Sequence, residues 1–225
     1  GGRHPGHRRG HSIHRQRVPG SPPGGIPATV QATGRMRLSP ERSAEKMCGR
    51  YYIAPDEEEE DWEEIIAILQ RRGETVKTGE IFPSDTVPVI ANNRSMRPTP
   101  FAMRWGYLLP NGKRVINARS ETAANRALFR DGMCQRRCLI PASNYFEWER
   151  KATGKVKYAI RPRQSGLMYM AGIYRVVDGR GEFSILTQAP AAEIRFIHDR
   201  MPVIFSKEKA GHMRPAHKVF FFYFP

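Results

Sequence analysis

The chain has 225 residues, with 37 Lys and Arg against 22 Asp and Glu and a formal charge of +15, enough length for one buried core and enough basicity to favour a polyanionic partner. No apolar run reaches the roughly 18 to 20 residues of a membrane span, so no membrane partner is expected. Three cysteines, Cys48, Cys134 and Cys138, are an odd number without the regular spacing of a secreted disulfide scaffold, which points to a reducing, intracellular compartment.

The positive charge is unevenly placed. Residues 1–46 hold eight Arg and one Lys against two Glu, which is +7, and leave +8 for the remainder. The same stretch contains eight Gly, six Pro and four of the seven His, with almost no consecutive apolar residues. It cannot bury enough surface to offset the entropy of ordering, and it has no apolar middle of the secretory-signal kind. The expectation is a disordered basic leader that is absent from the mature protein. The composition changes at Met47-Cys48-Gly49-Arg50-Tyr51, after which the chain reads as globular.

Residues 48–53 alternate polar and apolar side chains and predict a short strand. Pro55 and Asp56 then open a helix, with Asp56 as cap and Glu57 to Glu60 at its positive end. Trp62, Ile65, Ile66 and Leu69 form its apolar face, and Arg71-Arg72-Gly73 closes it. From Glu80 the period becomes that of strands: 86–91, 100–109, 138–140, 145–149, 156–160, 167–177 and 183–187, short, β-branched or aromatic, and separated by Gly, Pro or Asn. Helices are expected at 120–130, with Ser120 as cap, and at about 191–197. The pattern predicts an α+β domain built on a mostly antiparallel, curled or barrel-like sheet with a few flanking helices.

Five segments carry polar residues where a purely structural sequence seldom puts them. They are Cys48-Gly49-Arg50; Trp105-Gly106 followed by Asn117-Ala118-Arg119-Ser120-Glu121; Pro141-Ala142-Ser143-Asn144-Tyr145-Phe146-Glu147-Trp148; Leu186-Thr187-Gln188-Ala189; and His198-Asp199-Arg200-Met201-Pro202. Singly each has a bland reading: a surface glutamate on a strand, a capping histidine, a turn asparagine, solvated arginines, a core tryptophan. One local inference is firmer. Glu147 alternates with Phe146 and Trp148 along a strand, so it faces away from both aromatics.

Together and in this order, the five segments resemble the SOS-response-associated peptidase (SRAP) domain family, whose members shield abasic sites in single-stranded DNA. The resemblance covers residues 47 to about 207. It implies an SRAP-like domain at 47–207 and, for want of the family's closing helix and segment, an atypical, truncated or frame-shifted tail at 208–225. It implies that Cys48, once Met47 is removed, links to the sugar of an abasic site in single-stranded DNA. Asn117, Glu147 and His198 then complete the catalytic set, and Arg50, Pro83, Trp105, Arg119, Thr187 and Arg200 contact DNA. A monomer without cofactor is expected, associated with DNA in a bacterial cytoplasm or nucleoid or in a eukaryotic nucleus.

The chemistry is coherent. A terminal cysteine joins an α-amine, ordinarily of pKa about 7.7 to 8.0, to a thiol, and that pair captures an aldehyde as a five-membered thiazolidine. A carboxyl and an imidazole move the protons of ring opening and dehydration. Arginine forks suit phosphate, and aromatic faces suit unpaired bases. Two other classes of function fit the same residues: a cysteine peptidase processing its own leader through Cys48, and a non-covalent single-strand binder. Cys134 and Cys138, three residues apart, offer zinc two ligands, but no second paired motif accompanies them. No metal is expected, and both are read as small buried or half-buried residues.

Overall fold

The computed structural model describes residues 28–36, 49–54, 60–163 and 166–206. The expected helix cap Asp56, the expected nucleophile Cys48 and the tail after Ser206 lie outside the described residues.

Strands β1 (Ala28–Met36) and β2 (Arg50–Ile53) precede helix α1 (Glu60–Arg71). Next come β3 (Gly79–Ile81), β4 (Thr86–Asn92), β5 (Pro98–Trp105), β6 (Tyr107–Leu108), β7 (Arg114–Val115) and β8 (Asn117–Arg119). Helices α2 (Ser120–Ala123) and α3 (Ala127–Gln135) lead to β9 (Arg137–Ala142), β10 (Asn144–Lys151), β11 (Gly154–Pro162), β12 (Met168–Val177) and β13 (Arg180–Gln188). A 3-10 turn (Ala192–Ile194), β14 (Met201–Pro202) and β15 (Ile204–Phe205) finish the described chain.

Five strands close on themselves. β13 pairs with β5 in parallel, and β5–β4, β4–β9, β9–β12 and β12–β13 are antiparallel, so the ring returns to β13. Closure removes sheet edges and leaves the inward residues to fill the interior. Val87, Val89, Ile140, Met170, Phe183 and Ile185 are all buried in that interior. The last turn of β13 leaves the ring, taking β8 on one side and β14 on the other. A second sheet of order β1-β11-β10-β2-β3 packs Tyr51, Ile53, Ile81, Tyr145 and Ile160 into the same core. The barrel-like α+β expectation holds, with one parallel pair within a mostly antiparallel frame.

Helix α1 follows its sequence signals. Glu60, Asp61 and Glu63 stand in its first turn, Arg71 in its last, and Trp62, Ile65 and Leu69 face the core. Gly73 at φ 68 ends it, with its N–H donating to Gln70 O and the Glu74 N–H to Leu69 O, a Schellman closure.

Four expectations need correction. Residues 28–36, expected to be disordered with the rest of the leader, form a strand antiparallel to β11, from Ala28 opposite Pro162 to Met36 opposite Lys155. The single strand expected over 100–109 breaks at Gly106, whose φ of 98 no L side chain adopts easily and where a Cβ would lie 3.0 Å from Ile116 Cγ2. The helix expected over 120–130 is two short helices, and Ser120 is not a cap but a buried first-turn residue after Arg119. The helix expected near 191–197 is one 3-10 turn, too short a run to bury a full face.

Candidate active site

Strand β10 carries the central carboxyl. Its register with β2, Tyr145 opposite Tyr51 and Phe146 opposite Arg50, turns Glu147 to the face opposite its aromatic neighbours, as the alternation required. Glu147 is only 3% exposed. His198 arrives from the loop between the 3-10 turn and β14, and its Nε2 stands 3.9 Å from Glu147 Oε1, beyond hydrogen-bond distance.

The other ring nitrogen has two partners that require different protonation. Arg200 N–H donates to His198 Nδ1 at 3.1 Å, while Asp199 Oδ1 lies 2.8 Å from the same atom. An unprotonated Nδ1 accepts from Arg200 and leaves the proton on Nε2, directed at Glu147. A protonated Nδ1 donates to Asp199 instead.

A second group forms where β8 and α2 meet the end of β13. Asn117 lies opposite Ile185 and Arg119 opposite Thr187 in the parallel β8–β13 pairing. Arg200 donates from both terminal nitrogens to the Glu121 carboxylate, at 2.7 Å each, and from one of them to Thr187 O at 2.7 Å. That bidentate hydrogen bond holds the Glu121 carboxyl below the usual carboxylate range against a partial burial that acts the other way. The Thr187 hydroxyl is fully buried and lies 3.4 Å from Ala118 O. The sequence suggested DNA contacts for both residues; here the guanidinium bonds Glu121 and Thr187, and Thr187 is buried. Arg119 is exposed. Since His198 and Arg200 are two residues apart, one short loop joins this group to Glu147.

Trp105, expected to abut a base, is fully buried, 5.1 Å edge-on from Tyr51 and stacked 6.4 Å from Phe183. Its indole N–H donates to Ile116 O at 3.0 Å, which fixes the backbone immediately before Asn117. Pro83 is half-buried in the turn from β3 to β4, where Ser84 has φ 76. The exposed aromatic there is Phe82, with the Arg50 guanidinium 4.5 Å above its ring. Arg50 also contacts Glu80 Oε1 at 3.3 Å.

Sequence reasoning missed Glu121, Asp199, Glu80 and Phe82. Glu121 and Asp199 stood within the quoted segments, each one or two residues from a named arginine or histidine, and adjacency alone was their signal. Glu80 and Phe82 flank Ile81 in an alternating strand, where a charged and an aromatic residue both face outward. Of the other two cysteines, Cys138 is buried and its thiol pushed up by desolvation, while Cys134 is exposed on α3, contrary to the reading that both are at least half-buried. Among the described residues no three His, Cys, Asp or Glu converge as a metal-binding group. Among them also, no helix is long and apolar enough to cross a membrane.

Comparison with known proteins places this architecture. The family model described as SOS response associated peptidase (SRAP) matches residues 47–215. Abasic site processing protein YobE of Bacillus subtilis is 30% identical over 174 residues, covering 72% of this chain and 79% of that protein. Abasic site processing protein YedK of Escherichia coli is 28% identical over 175 residues, covering 73% and 78%. A crystal structure of a Bacteroides thetaiotaomicron protein superposes with a TM-score of 0.58 at 21% identity, over 76% of this chain and 83% of that one, a likeness of fold.

Proposed function

Because the chain belongs to the SOS response associated peptidase (SRAP) family, we propose that it acts on abasic sites in single-stranded DNA and captures them as a covalent thiazolidine through Cys48. The observation that carries this reading is the buried Glu147 with His198 Nε2 at 3.9 Å, on the strand that pairs with the one Cys48 leads into.

The steps balance. The open-chain deoxyribose presents an aldehyde at C1′. The Cys48 α-amine adds to that carbon, and the carbinolamine loses water to give an imine. The thiol then adds across the C=N bond, its sulfur to the carbon and its proton to the nitrogen, closing the ring with one water lost overall. Glu147, shielded from solvent, delivers and withdraws the protons of ring opening and dehydration. His198, with Asp199 at its Nδ1, supplies a proton to the sugar as its ring opens. Asn117 holds the amine or a sugar hydroxyl by its amide, and Arg50 and Arg119 attract the phosphates.

The amine must be free, since an acylated nitrogen forms no imine. Removal of whatever precedes Cys48 is therefore part of the function, and the same nucleophile, carboxyl and imidazole suit hydrolysis of that bond. The test is to mix chain beginning at Cys48 with uracil-containing single-stranded DNA after uracil excision, then denature. A shifted band is expected, absent with Cys48→Ser. Salt-labile binding alone would defeat the covalent reading in favour of a simple binder.

A further inference from the structure

Freeing the Cys48 amine breaks one peptide bond, and the fate of the chain ahead of it depends on how that chain is held. Strand β1 lies antiparallel to β11 from Ala28 opposite Pro162 to Met36 opposite Lys155, with a bulge where Thr33 and Gly34 together face Lys157. It thus lines almost the whole length of β11 (Gly154–Pro162). It also lies against the 3-10 turn Ala192–Ile194 that leads to His198. Residues 1–46 carry +7 and the remainder +8, so overall charge opposes this contact, and backbone pairing is what holds it.

The sheet order sets the consequence of a cut. From β1 to β11 to β10 to β2 every step is antiparallel, so β1 runs opposite to β2. The chain leaves β1 at Met36, opposite Lys155, which itself opposes Arg150. It enters β2 at Arg50, opposite Phe146, and runs on toward the partner of Asn144. Exit and entry therefore lie at the same end of the sheet, three strand spacings or roughly 14 Å apart. The 13 residues between Met36 and Arg50 reach roughly 43 Å when fully extended. Both strands can keep their places whether that link is whole or cut. The bond from Met47 to Cys48 falls within the link, and breaking it removes no residue from either ladder.

We infer that the outer edge of β11 is a strand-acceptor site whose occupant is residues 28–36 of this chain, and that scission before Cys48 nicks the protein without shedding its leader. The processed form is then a two-chain assembly with β1 still in place. The inference rests on the reading that the Cys48 amine is freed, and it concerns what happens to the other side of the cut. Retention keeps the backbone donors and acceptors of β11 paired beside the turn that leads to His198. A bare edge of that length would instead invite pairing between copies.

The test uses the full chain with a factor Xa site inserted directly before Cys48, cut so that Cys48 becomes the first residue, with no DNA present. Gel filtration and native mass spectrometry are expected to find leader fragment and domain in a one-to-one complex. The amides of residues 155–161 are expected to exchange with deuterium as slowly as in the uncut chain. Val30→Pro combined with Gln31→Pro is the control. Consecutive strand N–H groups point to opposite sides, so one of the two faces β11, and its loss breaks the ladder while residues 48–206 stay unaltered. That variant is expected to release its fragment and to speed exchange along β11 by about tenfold or more. A parent fragment that elutes apart from the domain, with β11 exchanging as fast as in the proline variant, overturns the inference. Equal retention in the proline variant also overturns it, since the grip would then lie elsewhere. A two-to-two complex means leaders exchanged between copies and overturns the assignment to the chain's own edge. Because an added protease makes the cut, crosslinking lost with the leader retained refutes the Cys48 reading alone, and a released leader with crosslinking intact refutes the retained strand alone.

Discussion

Arg200→Ala separates a structural arginine from a phosphate ligand. The side chain donates to Thr187 O and to both oxygens of Glu121, each at 2.7 Å, and its own backbone N–H meets His198 Nδ1. The bond to Thr187 O is charge-assisted and made by a guanidinium only 12% exposed, so its loss costs about 1.5 to 3 kcal/mol. The pair with Glu121, whose side chain is 49% exposed, contributes about 0.5 to 1 kcal/mol after solvent screening. The sum, about 2 to 4 kcal/mol, corresponds to a fall in melting temperature of about 4 to 16 °C for a domain of this size. Thermal unfolding by circular dichroism measures it, and Glu121→Gln with the double variant closes a cycle that isolates the pair. Arg200→Lys, which keeps charge but not the fork, is expected to recover less than half of the loss. A melting temperature within about 2 °C of the parent, together with a large loss of DNA affinity, would refute the structural assignment and return Arg200 to the phosphate contacts.

Three further outcomes follow from the same geometry. Trp105→Ala, at a fully buried position stacked between Tyr51 and Phe183, should cost about 3 to 5 kcal/mol in denaturant unfolding, whereas a base-stacking tryptophan would leave stability near the parent. Glu147→Gln removes a proton carrier while keeping shape, and the crosslinking rate at neutral pH should drop about 10²-fold or more; an unchanged rate would exclude the carboxyl from proton transfer. Acid should also destabilise the fold through Glu80 and Glu121. Their folded pKa values lie below the unfolded value of about 4.3, so their contribution is complete above that pH and is lost as pH falls through the folded values. Melts across the pH range should show Glu121→Gln removing part of the loss below about pH 4.3, and an unaltered acid limb would contradict the assignment.

The sequence made legible whatever depends on local pattern. The face of α1, its Gly73 closure and the inward turn of Glu147 follow from helical and strand periods, which need no knowledge of distant contacts. The juxtaposition of Glu147 with His198 was legible only through resemblance, because 51 positions separate them and no local rule brings them together. Trp105 and Arg200 have tertiary partners that the sequence hides. Their residue types suit nucleic acid, but Phe183 and Tyr51 from other strands close over the ring, and Glu121 and Thr187 capture the guanidinium. The strand at 28–36 was hidden because Gly and Pro dominate its surroundings, whereas pairing against β11 requires only backbone donors and acceptors in register. The breaks at Gly106 and after Ala123 reflect tertiary fit that propensity does not encode.

The central claim is a carbon bonded to both the nitrogen and the sulfur of Cys48, and mass analysis of the DNA-linked protein tests it most directly. After reaction with an abasic oligonucleotide and proteolysis, the account predicts one adduct, on the peptide beginning at Cys48, with the mass of peptide plus oligonucleotide less one water. A stable adduct on any other residue, or on a chain in which Met47 is still attached to Cys48, would contradict it.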